Sequence, residues 1–135
     1  MDSAKKPRGF DATKEKANAL IKSAEKVKKL VADSKKKASE KKEQLKSVWN
    51  EFQTLLRLVS AWKLKKYREV PVKTIVYAVT ALLYFVIPFD FIPDFIPIAG
   101  FFDDITVISF VLSSIKEDID KFKKWEQENS EKSDD

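Results

Sequence analysis

The stretch Thr74-Ile-Val-Tyr-Ala-Val-Thr-Ala-Leu-Leu-Tyr-Phe-Val-Ile87 decides how this chain folds. It holds no charge, glycine or proline, and its apolar side chains fall on every face of a helix rather than on one stripe. A helix of that kind is enclosed either by protein or by lipid. In a chain of 135 residues little protein is at hand to surround it, which favours lipid. The stretch opens a longer apolar section. Between Lys73 and Lys116 run 42 residues without Lys or Arg; 28 of them are apolar, and seven of the ten Phe fall there. Its charges are Asp90, Asp94, Asp103 and Asp104.

At the centre of this section Pro88-Phe-Asp-Phe-Ile-Pro93-Asp-Phe-Ile-Pro97 repeats Asp-Phe-Ile-Pro in tandem. Proline breaks the interior of a helix but suits its first turn, where the amides have no intrahelical partner. An Asp just ahead of such a turn can cap it. The pattern therefore predicts two successive single turns capped by Asp90 and Asp94, a left-handed residue at Gly100, and a cap at Asp103 for a last helix. That helix runs from Asp104 to about Glu126 on the stripe Ile105, Ile108, Leu112, Ile115, Ile119 and Phe122. Residues 72–115 thus read as an apolar helical hairpin whose turn is built on Pro88, Pro93, Pro97 and Gly100. Residues 127–135 read as an acidic, disordered tail.

Before the hairpin, Tyr67-Arg-Glu-Val-Pro71 marks a boundary, because Pro71 disfavours helical geometry at Val70 and then starts a helix well. From about Asp11 to Arg68 there is neither proline nor glycine, and Lys, Ala, Glu and Leu dominate. This predicts helix on propensity. Pro7 and Gly9 break the chain ahead of it, so residues 1–12 read as a flexible N-terminus. Over residues 13–48 the prediction is a Lys-rich amphipathic helix. A seven-residue repeat runs through Ala17, Ala24, Val31, Ala38, Leu45, Phe52 and Val59, but its centre around Ser34–Lys42 is Ala, Ser and Lys, a weak seam for a coiled coil. From Val48 to Trp62 the apolar face widens and should pack. The fold class is all-α: a long N-terminal amphipathic helix followed by the apolar hairpin.

Composition removes most chemistry. There is no cysteine and no histidine, which excludes disulfides, thiolates, imidazole ligands and the usual general base. Two glycines cannot make a phosphate-cradling loop. The first residues carry no apolar run of a secretory signal, and Asp2 is incompatible with N-myristoylation. Residues 1–70 hold 20 Lys/Arg against 9 Asp/Glu, a net +11, and residues 71–135 hold 6 against 12, a net −6. A basic half is joined to an acidic one.

The pattern Pro88-x-Asp90-x-x-Pro93-Asp94-x-x-Pro97-x-x-Gly100-x-x-Asp103-Asp104 resembles the signature of the YkvA-like family, a domain of many small bacterial proteins. A similar domain occurs in some membrane-bound RING-type ubiquitin ligases. The resemblance covers roughly residues 65–115 and lies within a helical domain at 49–126; the Lys-rich helix falls outside it. It implies membrane association and no assigned biochemical activity, and it brings no catalytic residues.

Asp90, Asp94, Asp103 and Asp104 are the candidate chemistry. They can converge on a hard divalent cation such as Mg²⁺ or Ca²⁺, the one cofactor the sequence suggests. The plainer reading is helix capping. Paired-carboxylate hydrolysis needs a substrate cleft, and the flanking residues are Phe and Ile. No enzyme is expected. The Lys-rich helix suits an anionic lipid surface, a protein partner or self-association. It does not suit specific nucleic-acid binding: no aromatic residue lies between Phe10 and Trp49, and its basic residues are all Lys.

Two aromatic and basic clusters flank the hairpin: Trp62, Lys65, Lys66, Tyr67 and Arg68 before it, Lys124 and Trp125 after it. Trp and Tyr favour the bilayer interface and Lys/Arg its cytoplasmic side, so the flanks predict interfacial anchors with both termini cytoplasmic. Length argues the other way. A span needs about 20 apolar residues, whereas residues 74–89 give 16 without a charge and residues 105–115 give 11. Two readings follow: a membrane-anchored scaffold or regulator, and a soluble cytoplasmic bundle, dimeric or not, that binds protein and keeps residues 74–87 at its centre.

Overall fold

The computed structural model describes residues 10–86 and 104–133, with side chains over 10–86 and 107–129. Its helices are α1 (Phe10–Leu20), α2 (Ala24–Glu40), the single turn α3 (Lys42–Leu45) followed by a 3₁₀ turn (Lys46–Val48), α4 (Trp49–Lys63), α5 (Val72–Val86), α6 (Asp104–Ser114) and α7 (Lys116–Ser133). Every regular element among the described residues is helical, as the composition predicts. The apolar helix α5 is the axis, and α1, α2, α4 and α6 all pack against it. From Thr74 to Phe85 every side chain except Tyr77 is buried. This corrects the expectation that so small a chain lacks the protein to surround it.

The enclosure is achieved by breaking the expected long helix. Residues 11–68 as one rod would extend about 87 Å, whereas α5 is about 22 Å long. Only segments of comparable length can lay an apolar stripe along it. The breaks sit where the backbone has something to gain or little to lose. Ser23 is extended (φ −117°, ψ 111°), and its hydroxyl accepts from the Lys26 amide at 3.2 Å, capping α2. Lys41 (φ −119°, ψ 31°) ends α2, and the 3₁₀ turn leads into α4. The predicted helix over residues 13–48 is therefore several helices, and its heptad seam is used inside the chain. Ala17, Val31, Ala38, Leu45, Phe52 and Val59 are all buried in one core. Intramolecular packing takes the place of a coiled coil.

Both ends of the chain are also more helical than expected. Phe10, placed in the flexible N-terminus by the sequence reading, begins α1 and is 1% exposed, with its ring 5.3 Å from Tyr77 and 5.2 Å from Phe110. It joins α1 to both arms of the hairpin. At the other end α7 continues to Ser133, through much of the expected disordered tail. The hairpin arms α5 and α6 pack side by side. The Thr74 hydroxyl donates to Asp118 Oδ2 at 2.6 Å, which brings the start of α5 to the residues just after α6 and makes the arms antiparallel. The turn residues Pro88, Pro93, Pro97 and Gly100 lie outside the described residues.

Candidate functional site

Asp90, Asp94 and Asp103 lie outside the described residues, and Asp104 is described as the first backbone position of α6. Among the described residues no three acidic side chains come together as a cation site would require.

The flanking clusters are fully described and they meet. Tyr67 is 4% exposed, with its ring 5.0 Å from Phe122 and 4.9 Å from Trp125; those two rings stack at 5.6 Å. The two flanks, 58 positions apart from Tyr67 to Trp125, therefore form one aromatic joint between the α4–α5 connection and α7. Tyr67 is committed to protein packing rather than presented at a surface. Burial raises its phenol above the ordinary value, and the carboxylates of Glu69 and Asp118 add to the rise. Trp62 is half-buried, and the Arg68 guanidinium lies over its ring at 4.7 Å. Lys65, Lys66, Arg68 and Lys124 are exposed.

The joint is reinforced by a charge pair. Arg57 Nε and Nη2 donate to the two oxygens of Glu126 at 2.7 and 3.1 Å, and Nη2 also reaches Thr54 Oγ1 at 3.1 Å. The hydrogen bond to Glu126 raises the Arg57 pKa further, so the guanidinium stays charged. The start of the connection is itself set by a C-terminal motif of α4. The Lys66 amide bonds to the Ala61 carbonyl at 2.9 Å and the Lys65 amide to that of Trp62 at 3.0 Å. This is the paired-bond ending that places a left-handed residue just past the helix. That residue is Lys65, at φ 64°, where glycine is the usual occupant. Leu64 and Val72, each 54% exposed, bracket the connection, while Tyr67 and Val70 between them turn inward.

Sequence reasoning found the aromatic and basic flanks, but not the exposure of Leu64 and Val72 or the left-handed Lys65. No glycine advertises the end of α4, so its helical pattern reads on to Arg68. The pairs Arg57–Glu126 and Thr74–Asp118 span 69 and 44 positions, beyond any local pattern. Of the clefts, one of about 340 Å³ lies between the start of α4 and the α6–α7 junction, with Val48, Leu112 and Ile119 among its apolar lining. Its Lys116 and Asp120 pair with each other at 3.1 Å. A groove lined in this way can hold an apolar group, with Ser47, Glu51, Ser109 and Ser113 also on its wall.

Among the described residues no helix is long and apolar enough to cross a membrane. A family model described as a protein of unknown function (DUF1232) matches residues 74–110, which take in most of α5, residues 87–103 and the first part of α6. The chain is 33% identical over 89 residues to a Bacillus subtilis (strain 168) protein named "Uncharacterized membrane protein YkvA", an alignment covering 66% of this chain and 84% of that protein. No solved structure matches.

Proposed function

The chain belongs to the YkvA-like family, and on that premise we propose that it is a non-enzymatic helical scaffold or regulator that works at the cytoplasmic face of a membrane, held there by anionic lipid. One observation carries the reading: folding draws the apolar helix α5 inside and leaves the basic residues out. Lys26, Lys28, Lys29, Lys35 and Lys36 of α2 are all exposed, in the half of the chain with net charge +11. The relative's name supports the membrane as the place of action. The enclosure of α5 favours attachment by the surface of the bundle over insertion of that helix. No cofactor is needed for such a role.

A second reading, a soluble module that binds another protein, draws on the same enclosed core. Fractionation separates the two. The protein should pellet with membranes at low salt and be released by about 1 M NaCl, where the Debye length falls to about 3 Å. A pellet that yields only to detergent would mean that the hairpin is embedded. Recovery in the soluble fraction at low salt would favour the second reading. Single cysteines replacing Ser47 and Ser130, in a chain without any of its own, should both be modified only by reagents that enter the cytoplasm.

A further inference from the structure

We propose that the connection between α4 and α5 is the point at which this protein docks on an anionic membrane. The inference rests on the membrane-surface reading above and names the face that makes the contact. Among the described residues the exposed large apolar side chains are Leu64 and Val72, and both belong to this one connection. Basic groups surround them: residues 63–73 hold Lys63, Lys65, Lys66, Arg68 and Lys73 against Glu69 alone. Apolar side chains that enter the headgroup region, flanked by cations that meet lipid phosphates, are the two components of interfacial binding.

The connection is also held in place. Tyr67 and Val70 are buried at 4% and 7% exposure, and the Tyr67 ring is locked against Phe122 and Trp125. Leu64 and Val72 are thus presented by an anchored segment. Lys65 adds an independent pointer. A left-handed position just past a helix favours glycine, and a side chain there works against the backbone. Strain retained at an exposed position invites a functional reading. A lysine in that slot places a cation beside Leu64 at the cost of a better helix ending. The charge complementarity selects an anionic lipid surface as the occupant rather than a neutral one.

The test uses the full chain and sedimentation with two kinds of vesicle: phosphatidylcholine alone, and equal parts phosphatidylcholine and phosphatidylglycerol. Wild type should bind the mixed vesicles and not the neutral ones. Leu64→Ser combined with Val72→Ser should weaken binding about tenfold, because both side chains leave water on docking. Lys65→Gly should weaken it about fivefold, the usual worth of one cation near such a surface, while raising the melting temperature. That opposite movement separates docking from folding. Lys42→Ser with Lys46→Ser, in the short turns just before the far end of α4 (a helix about 22 Å long), should change binding less than about twofold. If the connection variants bind like wild type and the Lys42/Lys46 pair weakens, docking is elsewhere: the inference falls and the membrane-surface reading stands. If wild type binds neither vesicle, both fall.

Discussion

Ser34 is a small polar residue in an apolar place. It sits on the seam of α2, fully buried, and among the described residues its Oγ is the buried side-chain oxygen that lacks a hydrogen-bond partner. Other buried hydroxyls are satisfied: Thr80 donates to the Val76 carbonyl at 2.7 Å, Thr54 to that of Asn50 at 2.9 Å, and Thr74 to Asp118. A buried polar group without a partner costs roughly 1–3 kcal/mol. Ser34→Ala removes the hydroxyl without changing the backbone and gains helix propensity as well. It should stabilise the fold by about 1 kcal/mol, read from the urea midpoint. A lower midpoint would show that the hydroxyl has a partner in solution. In the bare sequence Ser34 reads only as part of a weak coiled-coil seam. Its real constraint is lateral: α2 packs against both α4 and α5, and a small side chain suits a crowded crossing.

At the scale of helices, the apolar arms and the amphipathic end of α7 were legible because their patterns are long and uninterrupted. The division of the first half was not. Ser23 and Lys41 are unremarkable in a Lys- and Ala-rich run, and helix propensity alone prefers to continue through both; the breaks are imposed by the length of α5. At Ser23 the cap stabilises the break. Ser23→Ala should therefore cost about 1 kcal/mol, and Ser23→Asp should cost little, since Asp caps as well. Equal losses in both would mean that Ser23 acts through something other than its oxygen. Between α4 and α7 the paired Arg57 and Glu126 are 53% and 27% exposed, so solvent screens much of their attraction. A double-mutant cycle with Arg57→Ala and Glu126→Ala should give a coupling of about 0.5–1 kcal/mol, favoured by the two-pronged geometry. A coupling near zero would leave the joint to Tyr67, Phe122 and Trp125 alone. The sequence alone reads Tyr67 and Trp125 as interfacial anchors on two separate flanks, and Phe122 as part of the apolar stripe of the last helix. Only the fold brings them together, which no local spacing could reveal.

For the molecule as a whole, the two buried tyrosines, Tyr67 and Tyr84, set an alkaline limit. Burial raises the Tyr84 phenol above its ordinary value against the opposing effect of its hydrogen bond with Thr13, and Tyr67 is raised as described above. The folded state therefore holds these protons more tightly than the unfolded one. Their contribution is fully present below the unfolded value of about 10 and is lost as pH rises through the folded values. Melting temperature should fall above about pH 10, and less steeply when both Tyr67 and Tyr84 are replaced by Phe; an identical fall would place the alkaline limit on lysine deprotonation instead. Alkaline washing of membranes would thus report unfolding as well as release, which makes salt the cleaner eluent.

The order of helices along the chain matters during synthesis. Three of the four helices that enclose α5 are made before it. At about 5–20 residues per second, α1 to α4 leave the ribosome seconds ahead of the apolar segment, whereas helices form in about a microsecond. The nascent α5 thus emerges beside three partners that are already synthesised, and capture by its own chain competes with capture by the membrane. A circular permutant that begins at α5 would expose the same segment to the ribosome's surroundings before any of those three partners exists, and should be the form that aggregates or inserts.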